Sequence, residues 1–283
     1  MSMRDPIEYW NGPAAERWVR DQVDFDRMVG PFGEAALHAA KVTAGESALD
    51  VGCGCGETLL GLASLVGPGG RVVGVDASVP MLAKAKERCR DRANVSFLGG
   101  DASKVIPDQP SFDLAFSRFG VMFFADPVGA FRRIRGALRP AGRLSFVCWR
   151  PLDQNPWAAL PFDAAARAIG RPEPTPPDAP GPFSFGDPTR VRSILEGAGF
   201  RDVAAESVER EVGFGAASTL DEAAAAIARL GPVSRLLADR DDATRARAIT
   251  AIREVIPPYV GAGGEVRFRG TAWVVTARCA PAT

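Results

Sequence analysis

Histidine is almost absent from this chain of 283 residues: His38 stands alone. Multi-histidine zinc sites therefore cannot be built, and a serine–histidine–acid triad would have to run through that one imidazole. Tyrosine is nearly as scarce, at Tyr9 and Tyr259 only, and lysine is confined to Lys41, Lys84, Lys86 and Lys104. Net charge is missing as well. The 34 Lys and Arg residues balance 34 Asp and Glu with no basic tract, so the electrostatic footprint of a nucleic-acid binder is lacking. No apolar run approaches the ~18 residues of a membrane span, and the opening MSMRDPIEYWNGPAAERW holds no apolar core of a secretory signal. Cys53, Cys55, Cys89, Cys148 and Cys279 are odd in number and follow no framework spacing. Free thiols in a reducing cytoplasm are their simplest account. A metal at Cys53 and Cys55 would need two further ligands at matching spacing, and none is present, so no metal is expected.

What is present is alternation of short apolar runs with amphipathic stretches. Helices are expected at 14–29 and 32–42, broken at Gly30-Pro31, ahead of a buried strand at 47–51. A helix at 57–66, a strand at 71–75, a helix from the Ser78 cap and a strand at 94–98 follow. Strands at 112–117 and 143–149 flank a helix opened by Asp126-Pro127 and a turn at 139–142. Beyond a proline-rich stretch come a helix opened by Asp187-Pro188, a strand at about 202–214, helices at 221–238 and 243–256, and a last strand at 266–277. Continuous apolar strands separated by helices predict an α/β, Rossmann-like, mostly parallel seven-stranded sheet with helices on both faces. The division expected is an N-terminal helical lid at 1–44 and a core at 45–283. The core carries a Pro-rich loop at 150–188 and a helical cap insertion at 215–262, whose arginines read as solvated helix faces.

Ligands of such sheets bind at the carboxyl ends of strands. The first strand runs into ALDVGCGCGE at 48–57, where Gly52, Gly54 and Gly56 allow a tight bend and a close ligand approach. The spacing G-x-G-x-G differs from the G-x-G-x-x-G of pyrophosphate turns, and Asp50 and Glu57 bracket it with negative charge. Carboxylates there suit a cationic ligand and repel a phosphate. The next strand ends in Asp76, placed to accept from ribose hydroxyls, and the third in Asp101-Ala102, a pair suited to an adenine edge. The ligand implied has an ammonium, a ribose, an adenine and no phosphate.

The set LDVGCGCGE, VVGVDAS, LGGDAS, FDLAFSRFGVMFF and LRPAGRLSFVCW resembles the class I S-adenosylmethionine-dependent methyltransferases, closely over residues 45–150 and more loosely to 266–277. Its small-molecule branch around the ubiquinone/menaquinone-biosynthesis methyltransferases is the most similar. The resemblance implies S-adenosyl-L-methionine as cofactor, leaving S-adenosyl-L-homocysteine. It implies that Asp50 orders the turn and the amino group, and that Gly52 and Cys53 touch the methionine part while Gly54 and Gly56 make room. Asp76 would hold the ribose, Ala77 and Met81 would flank the adenine, and Asp101 and Ala102 would bind its edge. Ser117 would offer a carbonyl to the ammonium, with Arg118 and Phe119 lining the way to the methyl group. Trp10, Trp18, Met122 and Trp149 are candidates for the acceptor pocket. The nucleic-acid methylator motif is absent, since this stretch reads SRFG.

The expected partner is a small methyl acceptor, apolar or aromatic, with no nucleic acid, no membrane span and a cytoplasmic location. Transfer would be an in-line displacement driven by positioning and desolvation. With His38 on a helix before the first strand, no catalytic residue stands out, which favours nucleophiles needing little help from a base. Two other readings stay open: a non-catalytic adenosylmethionine-binding subunit or sensor, and a nicotinamide-dependent oxidoreductase, which the glycine spacing and Asp50 disfavour.

Overall fold

The computed structural model describes residues 6–174, 176, 178–214, 219–262 and 264–279. Ser47–Val51 (β1) is buried at every position, as a strand covered on both faces must be. It pairs in parallel with Arg71–Asp76 (β2) on one side and Phe112–Arg118 (β4) on the other. Val95–Gly99 (β3) extends the sheet beyond β2, and Leu138–Trp149 (β5) extends it beyond β4. Val266–Arg278 (β7) then joins β5 antiparallel, and Arg201–Phe214 (β6) forms the edge against β7. The order is β3-β2-β1-β4-β5-β7-β6. It reverses between β1 and β4, the switch point where a cleft opens at the strand ends. Cross-strand pairs Arg267–Glu211 and Arg269–Glu209 place charge on the exposed face of the β6 edge, which discourages pairing with another chain.

Short helices connect the parallel strands. They are Glu57–Val66 (α4), Val79–Arg88 (α5), Ala102–Val105 (α6) and Pro127–Ala137 (α7), preceded in the chain by Pro6–Tyr9 (α1), Pro13–Arg20 (α2) and Gln22–Ala40 (α3). Three of the connections use caps written in the sequence: Ser78 accepts from the Met81 N–H, Asp101 from Ser103 and Asp126 from Gly129. The turn expected at 139–142 bulges from β5, so that Phe112 pairs with Leu138 but Leu114 with Arg143.

The N-terminal helices differ from expectation. The chain breaks at Asp21, not at Gly30-Pro31, and α3 runs straight through Pro31. Proline costs that helix one hydrogen bond, but Met28, Val29, Phe32 and Gly33 on either side are buried, and their packing holds the turn together. The stretch 150–188 is also not all loop. Pro156–Ile169 (α8) is a helix with Trp157 and its alanines buried, followed after the proline-rich turns by Pro188–Gly197 (α9). Among the described residues, three α-helices, Leu220–Ala228 (α10), Gly231–Leu236 (α11) and Asp242–Val255 (α12), and a 3-10 turn at Pro257–Tyr259 lie between β6 and β7. Gly231 starts α11 where one long helix was expected, its φ of +52° giving the sharp corner. Residues 215–218 of the expected insertion lie outside the described residues. α12 packs on α8 and α10 on α12, so the insertion is anchored to the flank of β7 through α8.

Candidate functional site

A cavity of about 240 Å³ opens above the β1–β4 switch point, reaching from the glycine turn to the N-terminal helices and the α10–α11 corner. Its floor is main chain. Gly52 has a φ of +72°, and a Cβ there would lie 2.9 Å from the Gly120 Cα, so the β1 and β4 ends touch backbone to backbone. The turn spends its N–H groups internally: Gly52 and Cys53 donate to the Val75 carbonyl, Gly54 to Asp76 and Gly56 to the Cys53 carbonyl. These donors are no longer available as a phosphate nest. That agrees with the spacing argument against a pyrophosphate.

The acids are arranged in depth. Asp76 lies on the cavity wall, accepting from the Gly54 N–H at 2.7 Å through one oxygen and the Ser78 N–H at 2.8 Å through the other. A carboxylate oxygen has a second lone pair, so both oxygens can still take ribose hydroxyls. Burial pushes Asp76 up, and these two N–H donors pull it back. Asp101 is on the wall at the end of β3, held by the Ser103 N–H and hydroxyl at 3.0 and 2.7 Å.

Asp50 stands one layer behind. It is fully buried, is not on the wall, and accepts the Thr58 hydroxyl at 2.5 Å, while Thr58 itself faces the cavity. Burial raises Asp50 to about 7, partly offset by the Thr58 bond and Arg118. Its Oδ1 is buried without a hydrogen-bond partner. An orphaned carboxylate oxygen behind a turn flanked by two more acids is the environment a cationic ligand stabilises and an anionic one does not. The residues present therefore fit S-adenosylmethionine, with its sulfonium and ammonium.

Gly52, Cys53, Gly54, Ala77, Met81, Ala102, Arg118 and Phe119 also reach the wall. Three expected residues do not. Asp50 is the first. Gly56 faces away, pressed against Ala85. Ser117 is buried beneath the floor, where its hydroxyl donates to the Val51 carbonyl at 2.6 Å and ties β4 to β1. Cys53 offers little but main chain, because its sulfur is packed under Gly74. Arg118 reaches the wall while held by two acids. It is only 10% exposed and bridges Glu57 at 2.6 Å and Asp26 at 3.0 Å, while Asp26 also holds Arg88 at 2.8 Å. This chain of charges clasps α3 to α4 and α5.

Much of the remaining wall is aromatic: Trp10, Trp18, Met122 and Trp149 all line the cavity, and Trp10 and Trp18 pack beside Met81 and Cys55 near the glycine turn. Phe119 takes a left-handed φ of +56° and stacks on Trp149 at 4.2 Å, with Trp157 next in line at 4.9 Å. Such a conformation costs a phenylalanine about 1–3 kcal/mol and persists only where the surroundings over-determine it. Trp10 meets Phe123 and Trp18 edge-on, and Trp18 stacks on Phe25. Asn11 went unnoticed in the sequence, yet its amide donates to the Ala77 carbonyl at 2.9 Å and accepts from the Val79 N–H at 2.9 Å. It fastens the N-terminal helices to the loop after β2. No spacing signal distinguishes such an asparagine from an ordinary turn residue. His38 is exposed on α3, away from this cavity. Among the described residues no group of acids, cysteines and histidines could hold a metal ion, and no helix is long and apolar enough to cross a membrane.

Comparison with known proteins agrees with this geometry. A methyltransferase-domain family matches residues 48–142. The chain is similar to nocamycin O-methyltransferase of Saccharothrix syringae, 33% identical over 63% of this chain and 71% of that protein. Aklanonic acid methyltransferase DauC of Streptomyces sp. strain C5 is 34% identical over 41% of this chain and 54% of its own length. For most of the curated relatives it matches, the chain spans about half their length or less. In fold, the YcgJ protein of Bacillus subtilis superposes with a TM-score of 0.57 at 18% identity, covering 88% of this chain and 98% of that one.

Proposed function

This chain belongs to the class I S-adenosylmethionine-dependent methyltransferases, and from that premise we propose that it transfers a methyl group to a small apolar or aromatic metabolite. The observation that carries the reading is the continuity of the cavity, whose acids and glycine turn share one enclosed space with a ring of tryptophans and phenylalanines. Relatives named for nocamycin, aklanonic acid and demethylmenaquinone take small-molecule acceptors by their names, which supports the same class here.

S-adenosylmethionine, when bound, supplies an activated methyl group on a cationic sulfur. The chain's own residues position and exclude water. Asp76 and Asp101 hold ribose and adenine, and Ala77 and Met81 bracket the base. Asp50, behind Thr58, supplies negative potential to the turn. Phe119 and Trp149 form the boundary between the two ends of the cavity. Their faces offer a dry, quadrupolar surface to positive charge passing between the reactants. The N-terminal helices act as a lid and the α10–α11 corner as a cap, and Asn11 and the Asp26–Arg118 bridge close the lid onto the core. Asp26 is committed to two arginines and His38 is remote, so the acceptor brings its own nucleophilic form.

Calorimetric titration with S-adenosylmethionine and S-adenosylhomocysteine tests the cofactor, and a screen of small aromatic acceptors with methyl-labelled cofactor tests the transfer. Binding of both ligands and label in an acceptor are expected. A chain that binds neither ligand refutes the proposal, and one that binds both but labels nothing in a broad screen favours a non-catalytic binding protein.

A further inference from the structure

One ring of the aromatic wall is fixed on every side. Trp157, at the start of α8, lines the cavity and is 5% exposed. Its indole N–H donates to the Asn155 side-chain oxygen at 3.0 Å. Asn155 is fully buried. Its oxygen also accepts from the Thr271 N–H of β7 at 2.9 Å, and its nitrogen donates to the Arg150 and Pro151 carbonyls at 3.0 and 3.2 Å. Both acceptor positions and both donors of the amide are thus used. A buried amide satisfied in this way has one orientation, and turning it would leave polar groups unpaired. The indole that bonds to it inherits that orientation.

The rest of the Trp157 ring is closed in by carbon. Its centroid lies 4.9 Å from that of Trp149 and 6.3 Å from that of Phe183. At the cap it meets Gly231, which is also on the cavity wall. A Cβ at Gly231 would stand 3.3 Å from Cζ3 and 3.6 Å from Cη2 of the indole, so the ring would have to yield by a few tenths of an ångström. The α10–α11 corner comes this near the ring because position 231 carries no side chain. An indole bonded at its nitrogen and pressed at its opposite edge cannot swing aside for a ligand. The space in front of it therefore has a fixed depth, as in any close-packed interior.

We propose that Trp157 is a specificity-determining residue of the acceptor pocket: its ring, set between Asn155 and Gly231, ends the space into which an acceptor's rings extend and so limits their length. The inference rests on the methyltransferase reading and adds a size limit on the acceptor. Asn155 and Gly231 act through Trp157, the first by orienting the indole and the second by leaving room for it.

The test is a binding measurement that does not depend on turnover. A hydroxynaphthalene and a hydroxyanthracene, each followed by its own fluorescence, would be titrated into the full chain saturated with S-adenosylhomocysteine. An open-ended apolar pocket binds the longer ring system more tightly, because more apolar area leaves water. A pocket that ends at Trp157 is expected to bind it about fivefold more weakly. Trp157→Leu leaves the Asn155 oxygen paired with Thr271 and opens a space that an added ring can fill. It is expected to shift the ratio of the two affinities about tenfold toward the hydroxyanthracene. Gly231→Ala drives the ring inward and is expected to shift the ratio about threefold the other way. A purely structural role would weaken both probes alike and leave the ratio still. Affinity for S-adenosylhomocysteine within about twofold of the original chain is the control for folding. If Trp157→Leu does not fold, the preference of the original chain and the shift in Gly231→Ala decide. Tighter binding of the hydroxyanthracene by the original chain, a ratio unmoved in either folded variant, a shift of the same sign in both, or no binding of either probe would each overturn the proposal. Failure of S-adenosylhomocysteine itself to bind would instead sink the methyltransferase reading.

Discussion

The two ends of the cavity are built from different materials. The cofactor end is made of main chain and short acids on strand ends, fixed by hydrogen bonds such as Gly54 N–H to Asp76 and Thr58 to Asp50. The acceptor end is made of large side chains, Phe119 and Trp149 at strand ends and others delivered by α2, α3, α8 and the α10–α11 corner. The first leaves little room for substitution, because each atom has one task. The second can exchange one ring for another while keeping its shape. A cofactor common to many enzymes and an acceptor particular to one are the chemistry such a division would serve.

The comparison is broken most easily at Asp76. Removing its carboxylate strips two ribose acceptors and leaves the Gly54 and Ser78 N–H groups unpaired. Asp76→Ala is expected to weaken S-adenosylhomocysteine binding by about a hundredfold or more, read by calorimetry. Retained affinity would mean that the acids do not grip the ribose.

The clasp between the halves comes next. Asp26 is shared by Arg88 and Arg118, and Arg118 is mostly buried. Asp26→Ala leaves Arg118 with Glu57 alone and is expected to cost about 2 kcal/mol in urea unfolding. A change within experimental error would show that the ion pairs merely offset their own desolvation.

At the acceptor end, Trp149→Leu removes the ring that Phe119 stacks on. It is expected to weaken an aromatic acceptor about tenfold while changing S-adenosylhomocysteine affinity about twofold or less. Equal losses for both ligands would show that the two ends are not separable.

Legibility in the sequence follows the same division. Asp50, Asp76, Asp101 and the three glycines sit at fixed offsets from apolar runs, and the sheet they terminate was readable from those runs alone. What could not be read was depth. Nothing in LDVGCGCGE distinguishes an acid on the wall from one behind it, and Ser117 beneath the floor looks like any residue at a strand end. The ion pairs of Arg118 could not be read either, because its partners Asp26 and Glu57 are 92 and 61 residues away in sequence. α8 was hidden by its own composition, since Pro156 and Pro161 read as loop, although the first sits in the opening turn, where proline is tolerated. The helix break at Gly30-Pro31 failed for the complementary reason, because tertiary burial outweighed a local breaker.

The smallest expected effect is also the most specific to the buried acid. Asp50 titrates near 7 in the folded chain because burial disfavours its charge, against about 3.9 when unfolded. Between about pH 4 and about pH 7 the folded chain therefore keeps a proton that the unfolded chain has released, so stability falls as pH rises across that window. Cofactor binding has the opposite slope, because only the ionised carboxylate attracts a cation at the turn. Affinity for S-adenosylmethionine is expected to rise a few-fold on going from about pH 6 to about pH 8. In Asp50→Asn, the share of the stability slope that belongs to Asp50 and this rise should be lost. The ligand's own titration is common to both proteins, so the difference between their profiles isolates Asp50. Parallel profiles would place the controlling charge on Asp76, which burial also raises, and make Asp50 a purely structural acid, serving Thr58 and the turn.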